Sequence, residues 1–497
     1  MTLSPLVGYA LMIGLGALLL AVALTVRTLI SNTRDFIIAG RQIGFGYGVG
    51  ALIAVWTWSM AVMMSSAQAF TFGTSGLVWF VVPNGLAVIL MVPFAVALRR
   101  RMPEGYTIVE FIRHRFKSQT ATAVILLVMI AVIICEVLIN LFGIVLVMDV
   151  VFGLKATPVL VVALIVVTVY AYFGGLWTSA ITGTIATLWI TVPASLITLY
   201  ALAKAGGAST VFSRVDDAGP SNLNPLDNSA AAAFGISLAL GLLASTMADQ
   251  TFWQKAWSMK PQNMARTFLW AGLWFYPIPL TLGLLGLIGI SQGITLDDLG
   301  ANGAGAIGPY VITHVGLPAF MIALYVTIIL QACYSTIDGA FSALSSLIAT
   351  DVVKPRWPDV SDKVLLRSSK ASILGGGVIG GIVVLASSDY ITTVNTIYFF
   401  KGALILPLAF AIFWRRTPAH AFVLSIVAAA VVGYVVRQNV DELLGTVALL
   451  GTSLAVLLLG ALLTKTTFDY SSLASVNRED PSATDPLSTP TTTTTGA

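Results

Sequence analysis

Apolar positions come in long blocks along this chain, many of 18 residues or more, divided by short polar stretches. A helix of about 20 such residues crosses the ~30 Å hydrocarbon layer of a bilayer, so each block predicts one membrane span. The blocks fall near 5–28, 46–71, 77–98, 119–148, 158–175, 180–203, 231–249, 265–290, 318–350, 369–387, 390–414, 418–436 and 443–464. The expected fold class is an all-α polytopic membrane protein with about 13 transmembrane helices.

Lysines and arginines test that count independently. Arg27, Arg34 and Arg41 lie in the first loop, Arg99, Arg100, Arg101, Arg113, Arg115 and Lys117 in the third, and Lys255, Lys260 and Arg266 in the seventh. Lys354, Arg356, Lys363, Arg367 and Lys370 follow in the ninth, then Arg415 and Arg416, then Lys465 and Arg478 after the last span. With thirteen spans all of these share one side, and only Lys155, Lys204, Arg214 and Arg437 face the other. The positive-inside rule then expects a multi-pass protein of the cell membrane, amino terminus outside and carboxyl terminus in the cytoplasm. The first apolar run, Pro5 to Val26, has no basic residue before it and Arg27 after it, the pattern of a retained helix rather than a cleaved signal peptide.

Composition narrows the function classes. With 57% hydrophobic and 10% charged residues, no soluble domain of any size fits. The net charge of +4 is carried by loops facing anionic lipid, so it reflects topology and not nucleic-acid binding. His114, His314 and His420 are scattered, so no metal cluster is expected, and no phosphate-binding GxxxxGK[ST] loop occurs. That leaves an ion gradient or passive flow, with no cofactor. Cys135 and Cys333 fall inside apolar runs and are expected to be free thiols. The polar tail after about 466 is expected to be disordered, and with no output domain it argues against a sensor and against an obligate protein partner.

Polar groups inside the spans carry the chemistry. Hydroxyls and one carboxylate interrupt Ala332 to Leu347, and such groups in hydrocarbon mark a pathway by default. In the second span, Trp56, Thr57, Trp58, Ser59, Ser65, Ser66 and Gln68 sit mid-helix. They fit either a broken helix whose free carbonyls hold a cation or a helix contact built on small residues. Glu136, Asp338 and Lys401 are charges deep in the predicted spans. Asp338 either supports a nearby ion or bonds to neighbouring hydroxyls and water. Lys401 has several readings: pairing with Glu136 or Asp338, mimicking a second cation, attracting an anionic solute, or snorkelling to one face. The Gly375–Gly377 and Gly380–Gly381 runs suit close helix packing, and the Arg99 to Lys117 loop suits an amphipathic surface helix.

Four of these stretches resemble the sodium/solute symporter family. Ser335-Thr336-Ile337-Asp338, followed by Ser345-Ser346 and Asp351, is similar to the S-T-x-D and SS-x3-D patterns of its eighth core helix. Trp56-Thr57-Trp58 and Asp249-Gln250-Thr251-Phe252-Trp253-Gln254 resemble its urea-transporter branch, Gly174-Gly175-Leu176 within Tyr172 to Thr178 resembles the family's short cytoplasmic G-G-L turn, and the similarity runs from about Arg34 to Arg416. The resemblance implies a leucine-transporter-type five-plus-five inverted repeat over 30–416, preceded by one extra helix (1–29) and followed by two (417–465) and a tail (466–497).

It also implies a sodium site made by the carbonyls of Ala54, Thr57 and Ala332 with the hydroxyls of Ser335 and Thr336. Neutral oxygens suit that hard cation and let it leave again. A small polar solute, urea or a urea-like molecule first, would lie near the membrane midplane against Trp56, Trp58, Gln68, Asn140 and Asn395. Trp58 can equally serve only to pack. The expected activity is sodium-coupled symport by alternating access. Proton coupling, small amino acids such as proline and short carboxylates are the alternatives within the class, and a passive channel or facilitator is the alternative outside it.

Overall fold

The computed structural model describes residues 3–385 and 390–477. Among them there is no strand, only an isolated bridge between Ile43 and Met259. The helices used below are α1 (Pro5–Val26), α2 (Phe45–Trp56), α3 (Ser59–Arg101), α4 (Ile108–Phe116), α5 (Gln119–Phe152), α6 (Ala156–Lys204), α7 (Ile236–Ser245) and α8 (Gln250–Ser258). They continue with α9 (Met264–Phe275), α10 (Pro277–Ser291), α11 (Ala319–Leu347), α12 (Asp362–Leu385), α13 (Tyr390–Gly402), α14 (Ile405–Phe413), α15 (Ala419–Asn439) and α16 (Glu442–Leu463). Ten helical stretches among the described residues are long and apolar enough to cross a membrane.

Two of those stretches are longer than one crossing needs. Helix α3 has 43 residues, about 64 Å at 1.5 Å per residue, and α6 has 49, about 74 Å. Each is interrupted at one glycine in a conformation that L side chains avoid. Gly73 has φ 61°, and a Cβ there would lie 2.2 Å from the Asn222 carbonyl oxygen. Gly175 has φ 50°, and a Cβ there would lie 2.5 Å from the Phe36 carbonyl oxygen. The predicted boundaries at 71–77 and 175–180 coincide with these breaks.

Burial is graded from centre to rim. In α11 and its continuation 72% of the most apolar window is buried, against 33% for α1, α15 and α16. Helix α11 packs against α2, α5, α6, α8 and α12, and from Ile328 to Leu347 every residue is buried. The glycines of α12 permit this closeness: a Cβ on Gly376 would meet Leu344 at 2.6 Å, and one on Gly380 would meet Val137 at 2.5 Å. Cys135 and Cys333 are free thiols.

Two expectations change. Helix α4 does not lie loose on a lipid surface: Ile108, Val109, Phe111 and Ile112 are buried by protein. The expected disorder from 466 onward gives way, up to Asn477, to a strap folded back on the arginine-rich end. The Phe468 N–H bonds the Arg415 carbonyl at 2.9 Å, the Tyr470 hydroxyl bonds the Ala411 carbonyl at 2.8 Å, and the Arg101 guanidinium stacks 3.8 Å from the Tyr470 ring. These aromatic anchors outweigh the polar composition around them. Residues 478–497 of the expected tail lie outside the described residues.

Candidate functional site

The site begins where α2 stops. Thr57 (φ −84°, ψ 74°) and Trp58 (φ −74°, ψ 167°) leave the helix, and α3 restarts at Ser59. A helix broken in mid-protein must satisfy its freed amide groups elsewhere. The Ser59 N–H donates to Asn140 Oδ1 at 2.9 Å and the Ser59 hydroxyl to the Ile139 carbonyl at 3.0 Å. Asn140 Nδ2 donates in turn to the Glu136 carbonyl at 2.8 Å. Both ends of the Asn140 amide are thereby bonded to backbone, so this residue holds the break.

The carbonyls on the other side of the break face α11. Ser335 Oγ donates to the Ala54 carbonyl at 3.3 Å and to the Ala332 carbonyl at 3.0 Å, and Thr336 Oγ1 donates to the Thr57 carbonyl at 3.5 Å. Ala54, Thr57, Ala332, Ser335 and Thr336 thus meet at one buried junction of neutral oxygens. No formal charge belongs to these five residues, so a monovalent cation held there could leave again.

The tryptophans stand beside that junction in different roles. Trp56 Nε1 donates to the Asn84 carbonyl at 2.9 Å, and its ring meets Phe252 edge-on at 5.2 Å. Trp58 turns its Nε1 back to the Val55 carbonyl at 2.6 Å and packs against Tyr398 at 5.9 Å. Both indole donors are therefore satisfied by protein, leaving their faces as walls. Gln68 is buried further along α3, and Asn395 lies on α13 with an Oδ1 that no described group bonds.

Next to the tryptophans lies a layer of buried charge. Lys401 Nζ is 3.4 Å from Glu136 Oε1 and 3.0 Å from Ser245 Oγ, and it sits over the rings of Trp58 (4.4 Å) and Tyr398 (5.2 Å). It is 2% exposed and paired with Glu136, so it does not snorkel to either face. The Asp249 carboxyl lies within electrostatic reach of Glu136. Asp249 lies at a second helix break, between α7 and α8, where Oδ1 accepts from the Thr251 N–H at 2.6 Å. Asp338 bonds Ser179 and faces the Lys255 ammonium. Asp249 Oδ2, Thr251 Oγ1, Gln254 Oε1, Lys255 Nζ and Asp338 Oδ2 are buried without a protein partner, a trail that calls for water.

Sequence reading missed Asp249 and Lys255 as members of this layer. Lys255 counts there among loop cations, yet it is 1% exposed. Removing it leaves the charge asymmetry intact. The signal available was the aromatic company of Phe252, Trp253 and Trp257, too apolar for a loop.

At the arginine-rich end, α8 is stitched shut. Gln250 accepts from the Ile108 N–H at 3.0 Å and donates to the Tyr106 carbonyl at 3.2 Å and the Ser346 hydroxyl at 3.3 Å. Gln254 Nε2 donates to the carbonyls of Ile37 (2.5 Å) and Ser342 (3.0 Å). Asp351 receives Thr107 Oγ1 at 2.6 Å and Arg113 at 2.5 Å. Arg41 pairs with Glu104 at 3.0 Å and reaches the Trp257 carbonyl at 3.2 Å; burial lowers its pKa from the ordinary value, and Glu104 opposes that shift.

Comparison with known proteins follows the same residues. The model of the sodium:solute symporter family matches residues 36–428. The urea-proton symporter DUR3 of Oryza sativa subsp. japonica is 23% identical over 84% of this chain and 63% of its own length. Probable urea active transporter 1 of Schizosaccharomyces pombe is 24% identical over 82% of this chain and 65% of its own. The chain thus spans just under two thirds of the length of these relatives. A substrate-bound, outward-open Na+-coupled sialic acid symporter superposes with a TM-score of 0.78, covering 93% of this chain and 99% of that one at 19% identity. That likeness is one of fold.

Proposed function

The chain belongs to the sodium:solute symporter family, and on that premise we propose that it is a sodium-coupled symporter of a small polar solute, urea or a close analogue first, working by alternating access. It is a transporter and not an enzyme. The observation that carries the sodium reading is the neutral junction of the Ala54, Thr57 and Ala332 carbonyls with the Ser335 and Thr336 hydroxyls. Carbonyls freed by a broken helix, faced by hydroxyls on a neighbour, match a hard monovalent cation that must both bind and leave. Urea leads because the relatives are named for it, and because flat aromatic walls at Trp56 and Trp58 suit a flat, hydrogen-bonding solute.

Counting α3 and α6 as two crossings each and α12 as one brings the spans to thirteen. That number puts the arginine-rich end in the cytoplasm and the amino terminus outside. We assign 30–416 to a five-plus-five inverted-repeat core of the leucine-transporter type, with 1–29 and 417–465 as peripheral helices. Asp338, one turn from Ser335, supports the ion from beyond its direct contacts. Gln250 and Gln254 then close the cytoplasmic side, and release inward requires their bonds to part.

Uptake of labelled urea, proline and acetate into proteoliposomes, with and without an inward sodium gradient at fixed pH, tests the reading. Concentrative uptake of urea only with sodium is the expected result. Concentration of proline or acetate instead would replace the solute, and uptake that never exceeds equilibration would make the protein a facilitator.

A further inference from the structure

Three clefts follow one seam on the outside of the molecule, where α5 runs beside α15. At the arginine-rich end a polar cleft of about 290 Å³ is lined by Arg115, Arg415, Thr464, Thr466, Thr467 and Ala419. Through Ala419 it adjoins a second cleft of about 520 Å³, with Ser118, Thr120 and His420 at its polar mouth and Val423, Leu424 and Val427 beyond them. Deeper between the same two helices, an almost wholly apolar cleft of about 310 Å³ passes Ala131, Cys135 and Ala430 and reaches Lys401.

The polar end is positive and short of anions. Arg115 is buried, and its partners are neutral: the carbonyls of Ala411 (3.3 Å), Trp414 (3.0 Å), Arg415 (3.2 Å) and Thr417 (3.4 Å), and the rings of Phe468 and Tyr470. Among the described residues neither Arg115 nor Arg415 pairs with a carboxylate. Asp469 lies within electrostatic reach of Arg415, but its carboxylate already accepts from the Ser471 N–H at 3.0 Å and from the Ser471 hydroxyl. A buried charge without its opposite is disfavoured, so an anion completes this end. Thr464, Thr466 and Thr467 bring hydroxyls to the cleft wall, and the first amides of α15 receive no side-chain cap from Pro418.

The rest of the seam suits hydrocarbon. Leu127 on α5 and Leu424 and Val427 on α15 are exposed, as are Leu462 and Leu463, which immediately precede Thr464 and set the polar cleft at the border of hydrocarbon and headgroups. His420 to Ala430 covers about 15 Å at 1.5 Å per residue, half of a ~30 Å hydrocarbon core. We propose that the α5–α15 seam binds one anionic phospholipid of the leaflet at the arginine-rich end. Its phosphate is held by Arg415, the threonine hydroxyls and the α15 amides over the Arg115 charge, and one acyl chain lies along Leu424 and Val427 toward Ala131. Free phosphate would meet the polar cleft but leave the apolar seam uncovered, so a lipid is the occupant that matches both.

The placement ties the lipid to the interior. Arg115 belongs to α4, Arg415 follows α14, and Thr464 to Thr467 follow α16, so one phosphate bridges three separate stretches of chain. The inner end of the seam reaches Cys135, next to Glu136 in α5, and Lys401, whose ammonium pairs with Glu136 at 3.4 Å. Hydrocarbon in that cleft keeps water away from the ion pair from the membrane side.

The site does not depend on which solute or ion is carried. The test reconstitutes the full chain in vesicles of phosphatidylcholine and phosphatidylglycerol with a trace of phosphatidylglycerol carrying a diazirine near the end of one acyl chain, and maps the photo-adducts by mass spectrometry. Adducts should concentrate on residues 127–135 of α5 and 423–430 of α15. Arg415→Gln should cut them at least about tenfold, beyond the roughly fivefold worth of one basic group at an anionic surface. Lys363→Gln, the same charge change at an exposed site on the arginine-rich end, should leave them unchanged. Val427→Trp, which fills the seam without touching the polar cleft, should remove the adducts at Ala131 and Ala430. Equal losses in Arg415→Gln and Lys363→Gln would reduce the effect to general surface attraction and overturn the site. So would equal labelling by a phosphatidylcholine carrying the same diazirine, adducts spread evenly over the lipid faces of α1, α15 and α16, or adducts at Ala131 and Ala430 that survive Val427→Trp. Millimolar inorganic phosphate should displace nothing; loss of the adducts to it would make free phosphate the occupant and overturn the lipid.

Discussion

Two regions at the centre of this protein solve the same problem in opposite ways. Both surround a broken helix, and both are buried. At the α2–α11 junction the freed groups are met by neutral hydroxyls, with bonds of 3.0–3.5 Å. Around Glu136 and Lys401 the buried groups carry full charges, paired at 3.4 Å. A neutral oxygen set can empty at little electrostatic cost, whereas a charged set must always hold its complement. The first therefore suits an ion that comes and goes, and the second suits a fixed pair. The two are joined by a single turn of α5 between Glu136 and Asn140.

The largest effect should come from breaking the charged region. Lys401→Met removes the cation from a buried pair and should cost about 3–5 kcal/mol, read as lowered thermal stability in detergent. Adding Glu136→Gln should recover most of that loss, since the orphaned carboxylate is then gone. If the double variant were as unstable as Lys401→Met alone, the pairing would not be what holds Lys401.

Cutting the link between the regions should cost less. Asn140→Ala leaves the Ser59 N–H without its acceptor, worth about 1–3 kcal/mol for a buried donor. Thermal unfolding unchanged from wild type would mean that the break is held by other contacts.

At the neutral junction the effect should fall on function more than on stability. Ser335→Ala with Thr336→Ala should raise the sodium concentration for half-maximal uptake at least about tenfold, roughly 1.4 kcal/mol. Sodium dependence left intact in that double variant would move the ion elsewhere.

The smallest effect sharpens the contrast between centre and rim. Leu459 on α16 is 60% exposed, so Leu459→Ala should change stability by no more than about 0.5 kcal/mol. A larger loss would show that this face is covered by something other than lipid.

How much of this was legible differs by residue. The Trp56-Thr57-Trp58 stretch and the Ser335-Thr336 pair stood out because hydroxyls and indoles interrupt apolar runs, where hydrocarbon makes polar groups costly unless they are satisfied. The glycine breaks at Gly73 and Gly175 were legible as boundaries between apolar blocks. Lys255 was not, since a cation between two spans reads as a loop residue until the aromatic groups around it are seen to bury it. That Asn140 secures a helix break was not legible either, because the break lies 81 positions away in the chain. The strap ending at Asn477 read as disorder because its anchors are only a few aromatic groups among polar ones.

The amino-acid sequence by itself determined that this is a helical membrane protein, where its apolar blocks begin and end, that its positive charges are unevenly shared between loops and which family it resembles. Those properties depend on local composition, because the bilayer judges each segment by its own hydrophobicity and charge. Only the tertiary structure decided that Lys401 pairs with Glu136, that Lys255 is buried and that Asn140 closes a break. Such pairings join residues from 81 to 265 positions apart, and whether a buried charge or amide is satisfied depends on what the fold brings beside it.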